Sequence, residues 1–253
     1  MTDILIDRSD AVLTITLNRV DKKNSITVAM YAAMADALNS AATDDAIRVV
    51  VLQGHETIFS AGNDIGDFMN PPAVTSDPSA AFCFLHAIST FPKPLLAAVC
   101  GPAVGIGTTM LFHCDLVYAG DNAAFSMPFV NLGLCPEAAS SYLAPKLMGY
   151  GRAAEALLLG EPFLAEAALE MGFISRIVPP SEAAALAQRQ ARKLAAKPLP
   201  SLIETKRLMK KAQVAIVAER MAEEGVSFAR LLREPAAQAA FGAFMQKHSV
   251  SKT

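Results

Sequence analysis

Apolar positions follow two periods along this chain, and the switches between them outline the fold. Leu13, Ile15 and Leu17 alternate with Val12, Thr14 and Thr16. With Ile4 to Asp7 before them, across Ser9-Asp10, they predict a hairpin that opens a sheet. Thr27 is placed to cap a helix carrying Tyr31, Met34, Leu38 and Ala41 on one face, and the apolar run Ile47 to Leu52 reads as a buried strand. A polar loop with Pro71, Pro72 and Pro78 follows. A helix is predicted near Ala80 to Thr90, and Pro92 and Pro94 stop it before a strand at Leu95 to Cys100. The strand-helix-strand alternation thus repeats.

Beyond Gly107 the pattern predicts a short helix at Thr108 to His113, strands at Leu116 to Ala119 and Ala124 to Ser126, and then mostly helices. These run over Ser140 to Met148, Arg152 to Leu159, Leu164 to Met171, Ser181 to Ala196 and Ser201 to about Leu232, with a strand at Ile174 to Val178. Pro198 to Pro200 is the best boundary candidate, giving a core of residues 1–197 and a helical region of residues 198–253 suited to a lid, a packing layer or an oligomer interface. There is no clear repeat at solenoid spacing.

Composition narrows the class. The 253 residues are 53% hydrophobic and 18% charged, enough for a large buried core and unlike a disordered chain. A net charge of -2 without like-charge blocks leaves no footprint for nucleic acid, although a local basic pocket for a phosphorylated ligand stays open. Gly101, Pro102, His113 and Asp115 interrupt the most apolar stretch, Leu95 to Val117, which argues against a membrane span. Cys83, Cys100, Cys114 and Cys135 lack C-x-x-C spacing, and His55, His86, His113 and His248 lack metal-ligand spacing, so reduced thiols and no metal are expected. The first ten residues lack a secretory pattern, and Ser251-Lys252-Thr253 departs from the peroxisomal Ser-Lys-Leu signal; a cytoplasmic setting is expected.

Two glycine turns carry the strongest chemical signal: Phe59-Ser60-Ala61-Gly62-Asn63-Asp64-Ile65 and Gly101-Pro102-Ala103-Val104-Gly105-Ile106-Gly107. Each follows a strand-like segment and can present a backbone N–H where a buried strand ends. Two such groups aimed at one spot make an oxyanion hole. Taken alone, Gly62 and Gly105 also suit ordinary turns, Asp64 a helix cap, Asp115 a structural role, and Glu137 a solvated surface.

These turns, together with Pro92-Lys-Pro-Leu-Leu-Ala-Ala-Val99, Cys114-Asp115 and Gly149-Tyr-Gly-Arg-Ala153, resemble the crotonase, or enoyl-CoA hydratase/isomerase, superfamily over nearly the whole chain. The resemblance implies an α/β spiral of ββα units with a C-terminal helical region, acyl-CoA thioester substrates, no cofactor beyond the CoA of the substrate, and homotrimers or dimers of trimers. It places the oxyanion donors at Asn63 and Ile106, with Ala61, Gly62, Asp64, Ile65 and Gly105 around the thioester. The two carboxylate positions of the family's hydratases are Thr109 and Phe129 here, so hydratase activity is expected to be weak or absent.

Leu134-Cys135-Pro136-Glu137 resembles instead the peroxisomal-type Δ3,Δ2-enoyl-CoA isomerases, which implies that Glu137 moves a proton from C2 to C4 of a 3-enoyl thioester. Its apolar neighbours Phe129, Leu132 and Leu134 are of a kind that raises a carboxyl pKa. Lys22, Lys23 and Lys206 are candidates for the CoA phosphates, and Met30, Phe68, Phe82, Leu85 and Phe129 for an acyl tunnel. Hydration, dehalogenation or thioester hydrolysis on the same scaffold, and a non-catalytic acyl-CoA-binding protein, are the competing readings.

Overall fold

A computed structural model describes residues 2–69 and 79–250, apart from the side chains of 68, 69 and 244–250. The polar loop with Pro71, Pro72 and Pro78, the Phe68 side chain and Ser251 to Thr253 therefore lie outside the described residues.

The predicted hairpin forms, with β1 (Ile4–Ser9) antiparallel to β2 (Val12–Leu17). The helix α1 (Val28–Thr43) starts at Thr27, whose side chain accepts the Met30 N–H, and it buries Tyr31, Met34, Leu38 and Ala41 as the spacing predicts. Then come β3 (Val49–Gln53), α2 (Ile65–Met69), α3 (Ala80–Thr90) and β4 (Leu95–Val99). The second glycine turn opens with β5 (Pro102–Val104) and runs into α4 (Ile106–Thr109), which tightens to a 3-10 turn at Met110–His113. β6 (Leu116–Gly120), β7 (Ala124–Ser126), α5 (Ser140–Met148) and α6 (Tyr150–Ala154) follow, and α6 runs on as a π turn over Glu155–Leu159. The chain continues through β8 (Phe163–Leu164), α7 (Ala165–Glu170), β9 (Arg176–Val178) and α8 (Pro180–Ala195).

The long helix predicted from Ser201 is two, α9 (Leu199–Lys210) and α10 (Val214–Leu231), separated by a turn at 211–213, and α11 (Pro235–Val250) follows. Periodicity alone does not register a turn that short.

Six strands form one sheet in the order β1-β2-β3-β4-β6-β9, parallel except for the opening hairpin, and β5-β7-β8 form a second, smaller sheet. The large sheet is covered on both faces. Val50, Leu52, Ala97 and Val99 face the main core with α1 and α3, while Val49, Val51, Leu96 and Ala98 face Leu186, Ala187 and Ala191 of α8. This explains why β3 and β4 read as unbroken apolar runs rather than alternating ones.

Candidate active site

The two glycine turns are neighbours in space. Ser60 and Ala103 form a parallel bridge, and the Val104 N–H donates to the Ser60 carbonyl at 2.9 Å. Gly62, at φ +89°, lies so close to the second turn that a Cβ there would stand 3.0 Å from the Val104 carbonyl oxygen. Gly105 caps α4 at φ 55°, ψ -120°, a conformation that side-chain-bearing residues rarely adopt. The first turn is also tied to the loop before α1. The Ala61 N–H donates to the Lys23 carbonyl at 2.9 Å, the Asn24 side chain to the Phe59 carbonyl at 3.1 Å, and the Ser60 hydroxyl to the Asn24 carbonyl at 2.9 Å. Among the described residues, the backbone N–H groups of Asn63 and Ile106 have no protein acceptor.

A cavity of about 400 Å³ lies beside the first turn. Asn63 and Asp64 stand on one side. Glu137 and Ala138 form another, Met221, Glu224 and Phe228 of α10 close a third, and Phe82 and Leu85 of α3 add apolar surface. Tyr31 also lines it, and its hydroxyl donates to the Asn63 side-chain oxygen at 2.6 Å. Burial and the nearby Glu137 push the Tyr31 pKa well above its ordinary value, so it stays a neutral donor.

Glu137 holds its Oε1 away from solvent with no hydrogen-bond partner among the described residues. Burial, and then the charge of Glu224, raise its pKa from 4.5 to about 8. The backbone after it is unusual: Ala138 and Ala139 sit at φ 61° and 56°, a left-handed pair without glycine. Within the turn, the Ser140 N–H and hydroxyl both donate to the Glu137 carbonyl, at 3.0 and 2.6 Å, and three further contacts reach it from distant elements. Glu224 Oε2 accepts the Ala139 N–H at 2.6 Å, its Oε1 accepts the Ser141 N–H at 3.0 Å, and His113 Nε2 meets the Ala138 carbonyl at 2.9 Å. Burial and then Lys210 lower the His113 pKa from 6.5 to about 4, so the ring is neutral and Nε2 is the donor.

The remaining expected residues fall elsewhere. Ile106 is buried in the main core at the first position of α4, Ile65 starts α2 and packs against that core, and Leu132 does so from a 3-10 turn. Phe129 and Met30 belong to the core and not to the cavity wall. The Phe129 side chain is buried in that core, and its carbonyl takes the N–H groups of both Leu132 and Leu134. Thr109 is likewise fully buried. Lys22 and Lys23 are exposed, close to the first turn through the Lys23 carbonyl. Lys206 is buried, donating to the Lys93 carbonyl at 2.8 Å and to Asp115 at 2.7 Å, so its charge is spent inside the fold.

Asp64 pairs with Arg19 at 2.7 Å and accepts the Gly66 and Asp67 N–H groups at the start of α2. Burial opposes its charge, but the Arg19 hydrogen bond and the Asp67 N–H hold it below the usual carboxylate range. Among the described residues there is no group of three or more His, Cys, Asp or Glu side chains fit to hold a metal. Sequence reasoning missed Tyr31 and Glu224 as parts of this site. Tyr31 sits on an apolar helix face, and only a lone carboxylate among buried positions of α10 distinguishes Glu224.

A family profile described as Enoyl-CoA hydratase/isomerase matches residues 7–251. The chain belongs to the enoyl-CoA hydratase/isomerase family. The solved structure of OdaA from Pseudomonas aeruginosa shares 44% identity over 97% of this chain and 99% of that one, with a TM-score of 0.93. The crotonase fold is therefore as the sequence resemblance implied. Enoyl-CoA delta isomerase 3, peroxisomal, of Mus musculus is 40% identical over 184 residues, 71% of this chain and 58% of that protein. The 2,3-dehydroadipyl-CoA hydratase of Escherichia coli is 29% identical over 98% of both chains. The chain spans about half the length of the curated isomerases it matches. Both isomerases and hydratases are among its relatives.

Proposed function

We propose that this family member is a Δ3,Δ2-enoyl-CoA isomerase in which Glu137 is the single acid/base. The observation that carries the reading is the Glu137 Oε1, shut from solvent and unpartnered among the described residues on the wall of a cavity shared with Asn63. A carboxyl group with a pKa near 8 is close to the ideal for proton transfer in both directions near neutral pH. It takes a proton from C2 of the 3-enoyl thioester, and the Asn63 and Ile106 N–H groups receive the charge on the thioester oxygen. Glu137 then returns the proton to C4, giving the conjugated 2-enoyl thioester. One oxyanion donor is typically worth about 3 kcal/mol of transition-state stabilisation. The isomerases among the relatives support the same assignment.

Hydration is the second reading, because further carboxylates, Glu224, Asp64 and Asp67, line the cavity and a hydratase is among the relatives. Both Glu224 oxygens are taken by backbone amides, however, Asp64 is paired with Arg19, and Asp67 accepts the Val28 N–H at the exposed rim, so Glu137 alone offers a buried, unpartnered carboxyl oxygen among these groups. We also propose Lys22 and Lys23 as contacts for the CoA phosphates, and an oligomer of trimeric type. Ultraviolet detection of conjugated thioester from trans-3-hexenoyl-CoA, with crotonyl-CoA hydration measured on the same preparation, tests the main reading. Fast conjugation with little hydration is expected; hydration without conjugation rejects the isomerase.

A further inference from the structure

We infer that Glu224 is a positioning residue for Glu137: its carboxylate, delivered from α10, holds the left-handed Ala138-Ala139 turn and thereby fixes the Glu137 carboxyl on the cavity wall. The inference rests on Glu137 being the acid/base. Three features separate this role from routine helix capping. The residue preceding α5 is Ala139, which has no capping side chain, and the acceptor comes from 85 residues away in sequence. The two alanines adopt a conformation usually left to glycine, and the Glu224 carboxylate adds two hydrogen bonds across this strained turn to the local ones from Ser140. Glu224 itself lines the cavity, so its charge acts on Glu137 at short range.

The other titratable groups around Glu137 do not supply this effect. Tyr31 on α1 stays neutral, and burial pushes the Cys135 thiol up. His113, behind the turn, is neutral above about pH 4. Across the cavity Asp64 is paired with Arg19, and Asp67 is exposed on α2. On α10, burial raises the pKa of Glu224 itself, against the Ser141 and Ala139 hydrogen bonds and Arg220, which favour its charged form.

The test compares the parent with Glu224→Gln, which keeps the size and one acceptor but removes the charge and the second acceptor. The first readout is the titration midpoint of the Glu137 side-chain carboxyl by 13C NMR, assigned with Glu137→Gln; the second is kcat and KM on trans-3-hexenoyl-CoA. The midpoint is expected to move down toward the ordinary glutamate range, and kcat to fall about tenfold with KM within threefold. A Glu137 midpoint and a kcat that both stay at their parent values overturn the inference. Should Glu224→Gln alone not fold, the same pair is compared in the Ala138→Gly/Ala139→Gly background, where the turn no longer needs left-handed alanines. A parent with no isomerase turnover rejects the isomerase reading, whereas the NMR midpoint still decides whether Glu224 governs Glu137.

Discussion

The two sides of the cavity are built by different means. On the side of the glycine turns, geometry comes from backbone: Ser60 pairs with Ala103, and Gly62 presses on Val104. The groups proposed to act there are backbone N–H donors, those of Asn63 and Ile106. On the Glu137 side, geometry comes from side chains that reach in from distant helices, with Glu224 and His113 gripping a strained turn. The first side is tied to the smaller sheet, since Ser60 pairs with Ala103 of β5 and β5 with β7. The second holds its shape only while buried polar contacts are intact, so it responds to pH and to single substitutions in α10.

The largest expected effect falls on the side-chain wall. Glu137→Gln should retain the fold and bind acyl-CoA while kcat drops about 10²–10⁴-fold, the range typical of general acid–base catalysis. The ultraviolet assay measures the rate and calorimetric titration the binding; an unchanged kcat removes Glu137 from the chemistry.

A substitution on the backbone wall should act through stability as well as rate. Gly62→Val forces a β-branched residue to φ +89° and against Val104, a strain of about 1–3 kcal/mol. At about 2–4 °C per kcal/mol for a chain of this size, Tm should fall by several degrees, together with kcat. A Tm equal to that of the parent in a thermal melt would show that the first turn is looser than its geometry implies.

Much of the fold was legible because its elements carry their own local signals. The Thr27 cap, the β2 alternation and the apolar runs of β3 and β4 all read correctly, and so did the glycine turns. Their meeting in space was not legible, because the Ser60–Ala103 pairing joins residues far apart in the chain. Glu224 was hidden for the same reason: its partners Ala139 and Ser141 lie over 80 residues earlier, and nothing local distinguishes a capping glutamate on an amphipathic helix. Phe129 and Lys206 misled because an apolar or basic residue near a motif says nothing about which way the fold turns it.

Smaller effects separate the walls by pH. Glu137 holds its proton more tightly folded than unfolded, so its stabilisation is whole below about 4.5 and is lost as pH rises through about 8. His113 runs the opposite way, with its contribution whole above about 6.5 and lost as pH falls through about 4. Glu137→Gln should therefore flatten the alkaline decline of Tm and leave the acid decline; equal profiles for the two proteins would contradict the burial of Glu137. The smallest change is expected for Lys22→Ala/Lys23→Ala, which should raise KM for the CoA thioester about threefold, more than it lowers kcat. An unchanged KM would place the CoA phosphates elsewhere.

The central claim, that one buried carboxyl carries the proton from C2 to C4, is tested most directly by mass spectrometry of the product formed from 3-hexenoyl-CoA carrying deuterium at both C2 positions. Measurable deuterium at C4 of the 2-enoyl product, lost together with turnover in Glu137→Gln, is the predicted result. Turnover that delivers only solvent hydrogen to C4 and survives in Glu137→Gln would contradict it.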